Sequence, residues 1–433
     1  MKRLLLVLLM AGLLSAFLSA ADFGGNLEDS TYYHYASDSS FFHADTLALW
    51  LNTEVWKDTD LYIQGNYTYT TEQPYAFDLI SFKLENRSAS LVNYTLGRFY
   101  TYDFSGYVFS GRLDGAAVNL NYPWGVISAR AGYTGLLFNT SNIEMTLADQ
   151  NDPDGVFDLE APRLINGIEV ELPDLFLMQD LKLGFWAQFD LRPDSEVTAE
   201  GEVIPSSTGG KISSQYLGAE LNGSPLENLY YDAFVYLGTG RTLSYINSKY
   251  TYKPMLSFLG SGGVRYFFPQ MLSSKLDFRF LYSSGDEDYT SSFLEGNSDG
   301  YATSFTPVTG KNLALVFNPK LGNIFFTRLN YSLKPFEDKG DDILKHIQME
   351  LTNVIFFRPT TGQISGGGVN TTSTSSLYLG TEIDGTVNFR PFSDLGLSLT
   401  SGVFIPNTAD NGAFSAALRK TEFLARLGLS FSF

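Results

Sequence analysis

The chain has 433 residues, of which 44% are hydrophobic, 15% aromatic and only 18% charged, with no cysteine and a formal charge of −18. An average soluble domain carries roughly 25% charged residues, and the acidic excess excludes the clustered Lys and Arg that nucleic-acid binding needs. The lack of cysteine excludes a disulfide framework, thiol catalysis, thiolate metal sites and lipoprotein anchoring. Mean hydropathy is −0.05, which fits neither a helical membrane protein nor a disordered chain. A closed β-barrel reconciles these properties, because lipid-facing and lumen-facing residues alternate along each strand and average out.

The first residues, Met1-Lys2-Arg3, form a basic patch ahead of an apolar run over 4–18, and Ser19-Ala20-Ala21 supplies small residues before Asp22. This is the pattern of a secretory signal peptide over 1–21, leaving 22–433 as the mature barrel. The apolar run would span only about 22 Å as a helix, short of the roughly 30 Å hydrocarbon core. Loss of Lys2 and Arg3 takes the mature charge to −20.

From Asp22 onward the dominant signal is alternation at period two in runs of about nine to thirteen residues, the length of a tilted membrane strand. Leu183, Phe185, Ala187, Phe189 and Leu191 interleave with Lys182, Trp186, Gln188, Asp190 and Arg192. Leu377, Leu379, Ile383, Val387 and Phe389 alternate with Tyr378, Glu382, Asp384, Asn388 and Arg390. The last run places Phe423, Ala425, Leu427, Leu429, Phe431 and Phe433 against Glu422, Arg426, Ser430 and Ser432. An alternating strand closed by Phe433 has the form of an outer-membrane assembly signal.

About eighteen such runs are expected between 28–36 and 422–433, giving an all-β, transmembrane antiparallel barrel. Sixteen is the alternative if the first run is only a periplasmic tail. Parity supports eighteen: short turns then alternate with the long segments 100–111, 135–162, 193–210, 240–259, 284–322, 358–376 and 406–421. Residues 311–318 are expected as β structure inside a long outer loop.

An Arg on the lipid face costs roughly 2–4 kcal/mol at the midplane, so charges within strands are expected inward. Candidates for a lumen constriction are Arg98, Arg112, Asp114, Arg130, Asp190, Arg265, Asp277, Arg279, Arg328, Glu382, Asp384 and Arg426. Arg98 shares the phase of Val92, Tyr94 and Leu96, so a bulge at Gly97 is expected to turn it inward. A second bulge is expected at Asp114-Gly115. These charges either pair with one another and stiffen the wall, or guide a charged solute.

Three stretches resemble the alginate-export family of outer-membrane porins. They are Leu96-Gly97-Arg98-Phe99 with Asp103-Phe104-Ser105-Gly106 and Arg112-Leu113-Asp114-Gly115-Ala116; Tyr282-Ser283-Ser284-Gly285-Asp286; and Leu379-Gly380-Thr381-Glu382-Ile383-Asp384. The resemblance implies a monomeric eighteen-stranded barrel with a charged constriction, and polysaccharide export.

The histidines His34, His43 and His346 have no nucleophile motif beside them, so an enzyme is not expected and no cofactor is implied. Asp152, Asp154 and Asp158 lie in an acidic loop that matches an EF-hand only in part, leaving a calcium site or a solvated turn. The function expected is a bacterial outer-membrane porin passing small or oligomeric solutes, charged ones included. The alternative is a loop-plugged surface barrel acting in binding or adhesion. Its partners would be outer-membrane lipid, the barrel assembly machinery and an unidentified solute.

Overall fold

The structure is a computed structural model describing residues 21–433 except 37–38, 72–74, 88–90, 139–158, 177, 194–199, 202–210, 247–248, 289–299, 338–342, 365–368, 370–374 and 416–418. Eighteen strands form one sheet. They are β1 Ala21–Tyr35, β2 Ser39–Trp56, β3 Thr59–Thr70, β4 Ala76–Asn86, β5 Val92–Tyr102, β6 Ser110–Tyr122, β7 Gly125–Tyr133, β8 Arg163–Phe176 and β9 Gln179–Asp190. They continue as β10 Ser213–Leu226, β11 Leu229–Ile246, β12 Lys249–Phe268, β13 Ser274–Ser283, β14 Phe325–Leu333, β15 Ile347–Phe357, β16 Tyr378–Phe389, β17 Leu395–Pro406 and β18 Glu422–Ser432.

Each strand pairs antiparallel with its neighbours in sequence, and β1 pairs with β18 from Asn26↔Ser432 to Tyr35↔Phe423, closing the barrel. Phe433 and Gly25 add a reciprocal pair of backbone hydrogen bonds at 3.0 Å below that ladder. The first run is therefore a full wall strand, and the sixteen-strand alternative falls. The signal peptide lies outside the described residues.

The period-two pattern sorts the faces as expected on most strands. Leu183, Phe185, Phe189 and Leu191 are 40–53% exposed, whereas Trp186 and Gln188 between them are buried in the interior. The same holds for exposed Leu427 and Phe431 against buried Glu422. Such a continuous exposed apolar exterior is stable only against lipid.

Three local expectations are corrected. Residues 240–259 are no loop: β11 and β12 run on as an 18- and 20-residue hairpin paired out to Ile246↔Lys249. Residues 311–318 carry no strand; they lie in an irregular segment between β13 and β14. Leu379 faces inward, fully buried, because β16 takes an extra residue where Phe356 pairs with Gly380 but Phe357 pairs with Tyr378.

The anticipated bulges in β5 and β6 are also absent, since their ladder is continuous from Val92↔Leu120 to Tyr102↔Ser110. The hairpin instead leaves the wall. Pairing of β5 with β4 stops at Phe82↔Arg98, and pairing of β6 with β7 stops at Asp114↔Tyr133. Above that level the β5–β6 ladder has no partner strand in the wall among the described residues, and the tip turns into the lumen. The bend falls on the Gly97↔Gly115 pair, where a Cβ on Gly97 would lie 2.2 Å from the Phe82 carbonyl oxygen and one on Gly115 2.0 Å from that of Ala131. Gly97 also has φ +115°, a conformation open essentially to glycine. We expect Gly97→Val to lower unfolding stability by about 1–3 kcal/mol or more and to reduce the heat-modifiable, folded fraction on gels. Wild-type behaviour of this variant would show that the bend does not depend on glycine.

Candidate functional site in the barrel lumen

Two inward segments and the wall opposite them build the lumen. Residues 103–109, at the β5–β6 tip, are organised by the fully buried Asp103. It accepts hydrogen bonds from Tyr236 Oη (2.8 Å), Ser105 Oγ (2.6 Å) and the backbone N–H groups of Val108 and Phe109 (3.2 Å each). Burial pushes this carboxyl upward, and the bonds donated by Ser105 and Tyr236 oppose that shift. Phe104 stacks on Tyr236 at 4.8 Å and Phe109 on Trp186 at 5.3 Å. The Phe104 N–H and Trp186 Nε1–H both donate to Glu169, whose other oxygen accepts from Arg130 at 2.8 Å.

The second segment joins β13 to β14. Thr306 accepts from Tyr216 through its carbonyl, and Val308 and Thr309 donate to the Val108 carbonyl, so the two segments are directly bonded. Further along, the buried Glu382 of β16 accepts from three consecutive backbone N–H groups: Leu315 and Val316 at 2.8 Å and Phe317 at 2.6 Å. Phe317 stacks on Phe404 at 4.3 Å. An unanchored backbone at this depth would leave polar groups unsatisfied, and these carboxylates supply the missing acceptors.

The apolar core lies inside the barrel, between these segments and the wall. Its wall members come from β5, β6, β8 to β17; none comes from β1 to β4 or β18. On that uncovered side Tyr62, Gln64 and Asn66 form a half-buried hydrogen-bonded row with Lys83 and Glu85 nearby.

The expected charges are distributed as follows. Arg98 grips Asp114 with two bonds of 2.7 and 2.8 Å, and Arg112 reaches Asp78 of β4 at 2.6 Å, from the tip towards the uncovered wall. Asp190 lies between Arg163 (3.3 Å) and Arg192 (2.5 Å), and Arg265 pairs with Asp277 at 2.8 Å. Arg279 pairs with Asp232 at 2.7 Å. Arg328 stands directly opposite Arg279 in the β13–β14 ladder and donates to the Leu313 carbonyl; among the described residues it has no carboxylate within 4.0 Å. Lys311 lies 3.9 Å over the Tyr107 ring. Arg426 donates to Ser30 at 2.9 Å, and Asp384 stands two residues from Glu382 along β16. The arginines thus form no single ring. Most are paired, and Glu382 holds a loop rather than a solute.

Asp152, Asp154 and Asp158 lie outside the described residues. Sequence reasoning passed over Asp103 and Trp186 as site residues and did not foresee Arg163, Asp78 or Lys311 as partners. The signal for Asp103 was present, since Asp-x-Ser-Gly at 103–106 is turn chemistry.

No family model and no curated protein matches the chain. Solved outer-membrane proteins of Pseudomonas aeruginosa do match in structure. OccK9 (OpdG) superposes with TM-score 0.59 at 12% identity, covering 96% of this chain and 99% of that one. OccK2 (OpdF), solved with glucuronate, gives 0.58 at 12% with 96% and 99% covered. The protein opdK gives 0.57 at 11% with 95% and 98% covered. At these identities the likeness is one of fold, an eighteen-stranded barrel, and it lends the alginate-export resemblance no particular support.

Two outcomes are expected from the loop anchors. Glu382→Ala should expose Lys311 to trypsin at a site that stays intact in the wild type; equal resistance would remove Glu382 from its anchoring role. The Asp286 carboxyl, just past β13, is pushed up to about 6 by burial and by neighbouring Asp288. Because the folded state favours its protonated form, its contribution is full below the ordinary aspartate range and is lost as pH rises through about 6. Ionised Asp286 is buried beside Asp288 and repelled by it, which opposes the bond that Asp286 accepts from the Thr303 N–H, so loosening of the loop should make amide exchange around Thr303, corrected for intrinsic rate, less protected at pH 8 than at pH 5. Asp286→Asn should flatten that difference.

Proposed function

We propose that the chain is a bacterial outer-membrane channel for passive passage of small solutes, with a preference for anions. The observation that carries this reading is the one-sided lumen core. Because β1 to β4 and β18 contribute nothing to it, this reading puts the solute between the β5–β6 tip and the wall row of Tyr62, Gln64 and Asn66. Anion preference rests on the cluster of Arg279, Arg328 and Lys311, whose one ion pair among the described residues is with Asp232, while Asp103, Asp277 and Asp384 act on it from further off. A low-dielectric wall focuses such a local field regardless of net charge. A small carboxylate fits this cluster, and the glucuronate bound by the similar OccK2 belongs to that class. Two segments crossing the lumen speak against passage of a polymer.

A second reading, a barrel sealed by its loops and acting in surface binding, draws on the extent of the core. Planar-bilayer recording separates the two. A channel gives conductance steps in the intact protein, whereas a sealed barrel conducts only after deletion of residues 285–305. In a salt gradient the reversal potential should show mild anion preference, reduced by Arg328→Ala. Cation preference unchanged by Arg328→Ala and Arg279→Ala would refute the anion pathway.

A further inference from the structure

Among the described residues, the exterior of the barrel carries a charged cluster that the strand pattern does not explain. Asp29 of β1 and Asp45 of β2 stand directly opposite each other, in the same phase as Leu27 and Leu47, with Thr31↔His43 the next pair on that face. The adjoining positions outward are Leu429 and Leu427 on β18 and Tyr67 and Tyr69 on β3. Like charges directly opposed across strands are destabilising, and carboxylates on a lipid-facing surface add a desolvation cost. One imidazole offsets at most one of the two negative charges.

His43 is the centre of the arrangement. Its Nδ1 lies 2.8 Å from Thr31 Oγ1 and 3.5 Å from Asp29 Oδ2, and its Nε2 lies 3.1 Å from Asp45 Oδ2. Without an ion, Nε2–H donates to Asp45 while Nδ1 faces Thr31 and Asp29; a cation displaces the proton from one ring nitrogen, and the other nitrogen keeps its hydrogen bond and so orients the ring. One donor atom from each of Asp29, His43 and Asp45 can be chosen so that all three lie within 4.8 Å of one another. Ligands about 2.0–2.2 Å from a tetrahedral zinc ion stand roughly 3.3 Å apart, so side-chain rotation closes the set. All three are only partly exposed, with side-chain exposures of 31%, 30% and 45%.

We propose that Asp29, His43 and Asp45 bind a divalent cation of the zinc class on the outer wall of the barrel. The imidazole favours such an ion over calcium or magnesium, which take oxygen ligands. The ion neutralises both carboxylates, and its open side faces outward, where water or a lipid phosphate oxygen completes the shell.

The test uses the full-length mature protein in a phosphate-free detergent, stripped with chelator and titrated with zinc and, separately, with cobalt(II) and calcium. One equivalent of zinc should bind, and cobalt should give the absorption bands of a low-coordinate site. His43→Ala, Asp29→Asn and Asp45→Asn should each weaken zinc binding by roughly tenfold or more while heat-modifiability on gels is retained, since the lumen contacts are untouched. Zinc binding unchanged by His43→Ala, no saturable binding at one equivalent, or calcium bound in preference to zinc would each overturn the proposal.

Discussion

Glu382 accepts hydrogen bonds from three successive backbone N–H groups of a segment that has no strand partner of its own. A barrel wall satisfies its backbone through the ladder, but a chain entering the lumen has to find acceptors there or remain hydrated. Glu382 on one side and Asp103 on the other supply them, and the Val108 carbonyl ties the two segments together. Phe317 can then pack flat on Phe404, and Phe104 on Tyr236. The apolar core inside this barrel follows from those polar anchors.

The same anchoring decides which part of the lumen is filled. Both segments lean on β5 to β17, and β1 to β4 and β18 contribute nothing to the buried core. The charges on β4 to β6 are paired: Arg98 with Asp114, Arg112 with Asp78, Lys83 with Glu85. Pairs like these stiffen a wall and hold a shape, whereas Arg328, opposite Arg279, has no carboxylate within 4.0 Å among the described residues.

The exterior follows a different rule from the lumen. Almost every outward position on β9 or β18 is apolar, as lipid requires, and Asp29 and Asp45 break that pattern at a single place beside β3 tyrosines. A carboxylate pair in that setting needs a counter-charge, and His43 is the group placed to share in it.

Strand number, strand phase and the closed antiparallel order were legible in the sequence, because a residue's side of a barrel wall is fixed by period two and by turn parity, both local properties. That is why Leu183 to Leu191 and Phe423 to Phe431 were placed correctly, and why the charges of β13 and β14 were expected inward. The path of the β5–β6 tip was not legible: Gly97 and Gly115 are 18 residues apart in sequence, and their joint role as a bend exists only once their strands pair. Leu379 reads as lipid-facing until the register slip at Gly380 is known, and Trp186, alternating with apolar neighbours, gives no sign of a lumen core for it to join. Which carboxylate meets an arginine and which meets a backbone, as Glu382 does, depends on loops that cross from one side of the barrel to the other. Such long-range contacts are set by tertiary packing and leave no periodic trace in the chain.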